Sequence, residues 1–257
     1  MSSLLTMQMN KQAIAHAFGR AAKNYDNIAL FQQQSGQHLF DCLSAMPGNT
    51  VLDAGCGTGY FSKQWQSAGK QVIALDLSAS MLGIAQQKQA AKSYIQADME
   101  CLPLADESVE RCFSHLAIQW CSNLYTPLSE LYRITKKGGV VAFSTLVDGS
   151  LQELQQCWQK VDNNRHINSF MTFEQIKLTC RAWPHSLEQR SWYLTYPSFA
   201  CLLQSLKGIG ATYLTDGRQQ QGLMTKNHLA KLVDHYPHID EQFPLTYQLV
   251  YGMLYRE

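Results

Sequence analysis

The stretch Val51-Leu52-Asp53-Ala54-Gly55-Cys56-Gly57-Thr58-Gly59-Tyr60-Phe61 constrains this chain more than any other. Apolar residues lead into an acid, as at the end of a buried strand. Gly55, Gly57 and Gly59 follow at alternate positions and predict a tight turn where the backbone must approach something closely. Tyr60 to Ser67 then has helical character. Strand, glycine turn and helix in that order make a nucleotide-type site at a helix N-terminus. A second acid, Asp76, closes the next apolar run, Val72 to Leu75.

The spacing narrows the ligand. A dinucleotide fingerprint places its third glycine one residue later, and no Lys-Ser or Lys-Thr pair follows to cradle a phosphate. A ligand with a cationic amino group and a ribose but no phosphate fits, with Asp53 near the cation and Asp76 on the ribose hydroxyls. S-adenosylmethionine (SAM) is such a ligand, and the stretch resembles motif I of the class I SAM-dependent methyltransferases. The plain alternative is a ligand-free glycine loop between core elements; the strand, the spacing and Asp76 speak against it.

With 257 residues, 46% hydrophobic and 16% charged, the chain can build one large α/β core. A net charge of +1 gives no electrostatic case for nucleic acid or a membrane surface. Met1 to Asn10 lacks the pattern of a secretory signal, and no apolar run approaches a membrane span. Eight scattered cysteines form no C-x-x-C pair, which predicts no metal and a cytoplasmic protein with reduced thiols. Cys56, inside the glycine turn, is read as a small residue at the cofactor rather than a nucleophile.

Apolar spacing predicts a helix over Lys11 to Tyr25 and a second over Ile28 to Met46. From residue 49, strands and helices alternate. Strands are expected at 50–54, 71–76, 93–96, 110–116 and 139–145, and helices at 59–68, 79–91 and 124–135. Ser78 is the expected N-cap of the middle helix, and Lys136-Lys137-Gly138-Gly139 the close of the last. After Ser150 come helices over 151–161, 170–182, 199–206 and 225–236, the last capped by Thr225. A strand over 187–196 and a period-two strand from Leu245 to Met253 complete the pattern. The expected fold is a Rossmann-like α/β sheet, mostly parallel with an antiparallel C-terminal strand. One domain is expected over 1–257: lid helices to 47, a cofactor-binding core over 48–150, and remaining core with substrate-side helical additions over 151–257.

In open α/β sheets ligands meet the strand C-termini. Asp76 and Leu77 follow the second strand, with Met81 on the next helix. Asp98 and Met99 follow the third; Asp98 either accepts from the adenine amine, with Met99 on the ring, or caps a turn before Pro103. Leu116, Gln119 and Trp120 follow the fourth and line the methyl-transfer end. His115 and Trp120 have equally ordinary readings as core residues.

Beyond motif I, LAIQWC at 116–121, TLVDGSL at 145–151 and SLKGIGAT at 205–212 resemble the carboxyl-methylating malonyl-acyl carrier protein O-methyltransferases of biotin synthesis. So does the N-terminal NKQAIA with FGRAA and Tyr25. The likeness runs from about residue 10 through Pro244-Leu245-Thr246-Tyr247. It implies methylation of a malonyl thioester's free carboxylate by SAM, giving S-adenosylhomocysteine (SAH). The thiol would belong to acyl carrier protein bearing malonyl-phosphopantetheine, or in part to coenzyme A. It also implies that Tyr25 closes over the cofactor from a lid. Lys207 is a candidate for the carboxylate, or simply a cation at a helix C-terminus, and Tyr196 helps supply a low-polarity site. Lys11, Arg20 and Lys23 are candidates for a carrier-docking patch. No general base is needed, because a carboxylate is already a nucleophile at neutral pH. A quinone-precursor methyltransferase and a non-catalytic SAM-binding module are the competing readings.

Overall fold

The computed structural model describes residues 10–162, 166–208 and 226–257. Three helices open the chain: α1 (Lys11–Ala21), α2 (Tyr25–Ile28) and α3 (Leu30–Ser44). The core then alternates: β1 (Thr50–Ala54), α4 (Tyr60–Ser67), β2 (Gln71–Asp76), α5 (Ala79–Gln87), β3 (Ser93–Gln96), β4 (Val109–His115), α6 (Tyr125–Ile134) and β5 (Thr135–Leu146). The remainder adds α7 (Gln152–Val161), α8 (Phe173–Cys180), β6 (His185–Tyr196), α9 (Phe199–Gly208), α10 (Lys226–His235) and β7 (Phe243–Tyr255).

One seven-stranded sheet runs in the order β3-β2-β1-β4-β5-β7-β6. β1 to β5 are parallel, while β7 pairs antiparallel with both β5 and β6. This is the expected mostly parallel sheet with an antiparallel C-terminal strand. The reversal of strand order falls between β1 and β4, and the crevice beyond their C-terminal ends is where such sheets bind ligands. Val51 and Leu52 of β1 are fully buried, as a strand covered by helices on both faces requires. β7 is covered on both faces too: Tyr251 packs inward, and a Cβ on Gly252 would stand 2.3 Å from the Phe143 ring.

Two expectations change. Lys136 to Gly139 does not close α6 but lies in β5. The helix ends at Ile134, Thr135 is already extended, and Val109 pairs with Thr135 before the register shifts. Gly139 is needed there, since a Cβ would approach the Glu110 carbonyl to 2.5 Å. The expected helix over Lys11 to Tyr25 ends instead at Ala21. A 3-10 turn over 22–24 and the short α2 swing the chain across the strand ends. Ser78 caps α5 as expected, accepting from the Met81 N–H at 3.4 Å. Thr225 and Ile209 to Thr212 of the SLKGIGAT stretch lie outside the described residues, as does the side chain of Lys207.

Candidate functional site

A cavity with about 1060 Å³ of free space, including its mouth, lies over the ends of β1, β2 and β4. Its inner wall is the glycine turn and the strand ends. Its outer wall is α1 to α3. Of the residues picked from the sequence, Tyr25, Asp53, Gly55, Cys56, Gly57, Asp76, Leu77, Met81, Asp98, Met99, Leu116 and Trp120 line it. Gly59, Gln119 and Tyr196 do not.

The glycines divide their work. Gly55 has φ +77°, and a Cβ there would stand 2.3 Å from the Ala117 Cβ, so it lets β1 meet the loop after β4. Gly57 has φ +55° and nothing within 4 Å of an added Cβ: its open side is the cavity. Gly59 opens α4, where a Cβ would press on Ala90 and Ala85 of the α5 region. Its role is packing, one layer behind the site.

Asp76 grips the turn. Its Oδ2 accepts from the Gly57 N–H at 2.8 Å and its Oδ1 from the Ser78 N–H at 2.8 Å. Asp53 is buried and accepts from the Ser62 hydroxyl at 2.6 Å. Burial, opposed by that bond, pushes its carboxyl up to about 7. Asp98 carries out its plainer reading, with Oδ1 accepting from the Glu100 N–H at 3.0 Å. The same oxygen accepts from Lys11 Nζ at 3.0 Å, which leaves Oδ2 for a ligand. Burial, with Asp76 and Asp53 nearby, pushes the Cys56 thiol far up, so it stays a thiol and not a nucleophile.

His115 ends β4 in a directional hydrogen-bond chain. The Leu116 N–H reaches Ser144 Oγ at 3.2 Å, and Ser144 Oγ lies 2.6 Å from His115 Nδ1. Ser35 Oγ, 3.3 Å from His115 Nε2, itself donates to the Phe31 carbonyl at 2.7 Å. Burial lowers the imidazole to about 3, so it is neutral. Ser144 therefore donates to Nδ1, and Nε2–H donates to Ser35. The ring ties α3 to the strand ends and is not a free base. It also steadies Leu116, a cavity residue held at φ +49°. Gln119 donates to the Leu116 carbonyl at 2.9 Å from outside the cavity. Trp120 meets Phe18 of α1 edge to face at 5.3 Å. Tyr196 bonds to Ser205 and Tyr247, away from the cavity wall.

Ion pairs hold the outer wall down. Lys11 bridges Asp98 and Glu100, and Glu100 also accepts from the Ser122 N–H at 2.6 Å. Burial pulls the Lys11 ammonium down, but the two carboxylates more than offset this and raise it. At the other end Asp26 receives the Thr58 hydroxyl and the Lys88 ammonium, and Lys88 also reaches the Thr58 carbonyl at 3.1 Å. Lys11 is thus engaged in closing the cavity. Asp26 and Gln32 were not singled out in the sequence, and Phe61 only as the end of the glycine stretch, although all three line it. A glycine inside a helical run was the available signal: a Cβ on Gly36, one turn beyond Gln32, would stand 2.4 Å from the Phe61 ring.

Comparison with known proteins settles the family. A model of the methyltransferase domain matches residues 52–143. The chain is 51% identical over 249 residues to the malonyl-acyl carrier protein O-methyltransferase of Serratia marcescens, covering 97% of each. It is 50% identical over 254 residues to that of Pectobacterium atrosepticum, covering 99% of this chain and 100% of that protein. The chain belongs to the malonyl-acyl carrier protein O-methyltransferase family. Its fold is shared more widely: the crystal structure of the YcgJ protein from Bacillus subtilis superposes with a TM-score of 0.60 at 14% identity, covering 88% of this chain and 99% of that one. Membership of the malonyl-acyl carrier protein O-methyltransferase family covers the lid and the additions as well as the shared core, because the alignment spans nearly the whole chain.

Proposed function

We propose that this enzyme transfers the methyl group of SAM to the free carboxylate of malonyl-acyl carrier protein, giving the methyl ester that primes pimeloyl synthesis for biotin. The observation that carries this reading is a cavity with two unlike walls. Three carboxylates and a glycine turn line the strand-end side, and α1 to α3 close the other with Ile14, Phe18 and Tyr25 beside the amide of Gln32. Within a family whose relatives bear the malonyl-acyl carrier protein name, that division matches a cationic nucleoside on one side and an acyl carboxylate on the other.

The residues fit SAM. Gly57 leaves the inner wall open, Asp76 stands beside it for the ribose hydroxyls, and Asp98 Oδ2 is available to the adenine amine, with Met99 beside it. Asp53 suits the amino group. When bound, SAM supplies a methyl on a sulfonium; a carboxylate oxygen gains the C–O bond, sulfur keeps the C–S electron pair, and a neutral ester and a neutral thioether result.

The protein's own part is to position and to exclude water. Tyr25, half-buried in the lid, has its hydroxyl raised by burial and by Asp76 and Asp26, so it remains a neutral donor. Phe18 and Trp120 close the same side. His115, neutral and doubly bonded, serves as a strut. Phosphopantetheine reaches from the carrier to this cavity, and coenzyme A carries the same arm. For carrier docking the exposed Arg20 and Lys23 remain, without Lys11. The work is expected to be cytoplasmic.

A methyl-transfer assay with labelled SAM and malonyl-, succinyl- and acetyl-carrier protein tests the reading. Methyl ester on the malonyl thioester and none on the acetyl one is the expected result. Absence of transfer to any of them, with SAH still bound, rejects it.

A further inference from the structure

Among its described lining residues the cavity offers no free cation to an anionic acceptor. Lys11 is the one Lys or Arg among its described lining residues, and Asp98 and Glu100 hold its ammonium. His115 is neutral, with both ring nitrogens engaged. The outer wall nevertheless carries an unpaired polar side chain. Gln32 of α3 lines the cavity, and its Oε1 is buried with no hydrogen-bond partner. Among the described residues no hydrogen bond reaches its amide at all. Its neighbour Gln33 differs, donating to the Asp26 carbonyl at 3.0 Å. A buried amide oxygen without a partner is destabilising, and such an atom in a cavity wall marks a place for a ligand. Turned about its last torsion, the amide presents NH₂ as readily as carbonyl.

The helix beneath is rigid. Ser35 joins His115, the Tyr251 hydroxyl donates to the Ser35 carbonyl at 2.9 Å, and Phe31 stacks on Tyr247 at 4.0 Å. Gln32 therefore projects from a fixed frame, which is what precise positioning needs.

We propose that Gln32 holds the acceptor carboxylate. Its NH₂ donates to one carboxylate oxygen and leaves the other free to react. The inference rests on the malonyl-thioester reading above. A neutral donor suits this chemistry better than a cation. The carboxylate charge disappears as the ester forms, so a cation would stabilise the starting state more than the transition state and slow the reaction. An amide orients the group with less of that penalty, and it also distinguishes the anionic acid from its methyl ester.

The test titrates malonyl-carrier protein and its methyl ester into full-length, SAH-saturated enzyme by calorimetry, for wild type, Gln32→Leu and Gln32→Glu. SAH affinity should stay within about twofold in both variants, since Gln32 faces the acceptor. Gln32→Leu should weaken malonyl-carrier binding by roughly tenfold or more while leaving the methyl ester unchanged, erasing the preference for the acid. Gln32→Glu should weaken the acid further by like-charge repulsion. An unchanged malonyl affinity in Gln32→Leu overturns the proposal, as does an equal loss for acid and ester or a collapse of SAH binding. If Gln32→Leu keeps wild-type transfer, Gln32 is wrong and the function stands. If wild type binds SAH but neither binds nor methylates the malonyl thioester, both readings fall.

Discussion

The two walls of the cavity are built on opposite principles. On the strand-end wall, Asp53, Asp76 and Asp98 each hold a hydrogen bond from the protein before any ligand arrives. On the outer wall, Ile14, Phe18 and Ala29 supply apolar surface beside Tyr25, and Gln32 Oε1 lacks a partner. A satisfied carboxylate is fixed in place and suits the parts of a ligand that do not react, such as a ribose or an amino group. An unsatisfied amide beside apolar side chains suits a carboxylate whose charge vanishes during the reaction. If the roles proposed above hold, the sheet fixes the cofactor and the helices above it orient the acceptor.

The sharpest way to break this contrast is to remove Asp76. Its carboxylate orders the Gly57 and Ser78 amides, and in the function proposed above it also holds the ribose. Losing charge-assisted bonds of about 1.5–3 kcal/mol each should weaken SAH binding by roughly 100-fold or more in Asp76→Ala, read by calorimetry. Wild-type affinity in that variant would remove Asp76 from the cofactor site.

Next come the glycines, which separate folding from binding. Gly55→Ala forces a Cβ to 2.3 Å from Ala117 at φ +77°. Overpacking and left-handed strain together should cost about 2–4 kcal/mol of unfolding free energy, measured by urea titration. Gly57→Ala meets no neighbour. It should cost only about 1–2 kcal/mol of stability, and its larger effect should be on SAH affinity, because the new methyl occupies cavity space. Equal stability losses in the two variants would contradict the division of roles.

Asp53 gives the contrast a pH signature. Its folded carboxyl, raised to about 7, keeps its proton where an unfolded aspartate has lost it. Its contribution to stability is therefore greatest below the ordinary aspartate range and declines as pH rises through 7. Binding of an ammonium-bearing ligand has the opposite sign, since it needs the carboxylate. SAH affinity should rise by roughly tenfold from about pH 6 to about pH 8, with proton release on binding. Asp53→Asn should flatten the profile; an unaltered profile would place the titration elsewhere.

The strand-end wall was legible in the sequence because strand, turn and acid are neighbours along the chain. Asp53, Gly55, Gly57 and Asp76 are joined by local geometry that short motifs encode. The lid wall was not. Lys11 meets Asp98 and Glu100 across 87 and 89 residues, and Asp26 meets Lys88 across 62. No local pattern carries such pairings. Gln32 is one of three consecutive glutamines, and only its place in the cavity lining distinguishes it. Lys136 to Gly139 misled for the converse reason: cations followed by glycines do end helices, but here tertiary pairing with β4 had already drawn the chain into a strand.

The smallest expected effects concern the ties between the walls, and they rank by burial. Lys88 and Asp26 have side chains 35% and 36% exposed, and a pair of that kind contributes less than about 1 kcal/mol. Lys88→Ala should weaken SAH binding by only about twofold, with the remainder screened by salt. Lys11 is 21% exposed and Glu100 14%. Removing that ammonium leaves Asp98 and Glu100 close together with no cation between them, and α1 loses its tie to both. Lys11→Ala should therefore weaken SAH binding about fivefold and retain part of that loss at high salt. Glu100→Gln in the same chain should recover some affinity by removing one of the two like charges. If Lys88 proves the stronger tie, or if Glu100→Gln recovers nothing, then the lid is held by Phe18, Trp120 and the apolar surface beneath it, and the charges only decorate its edge.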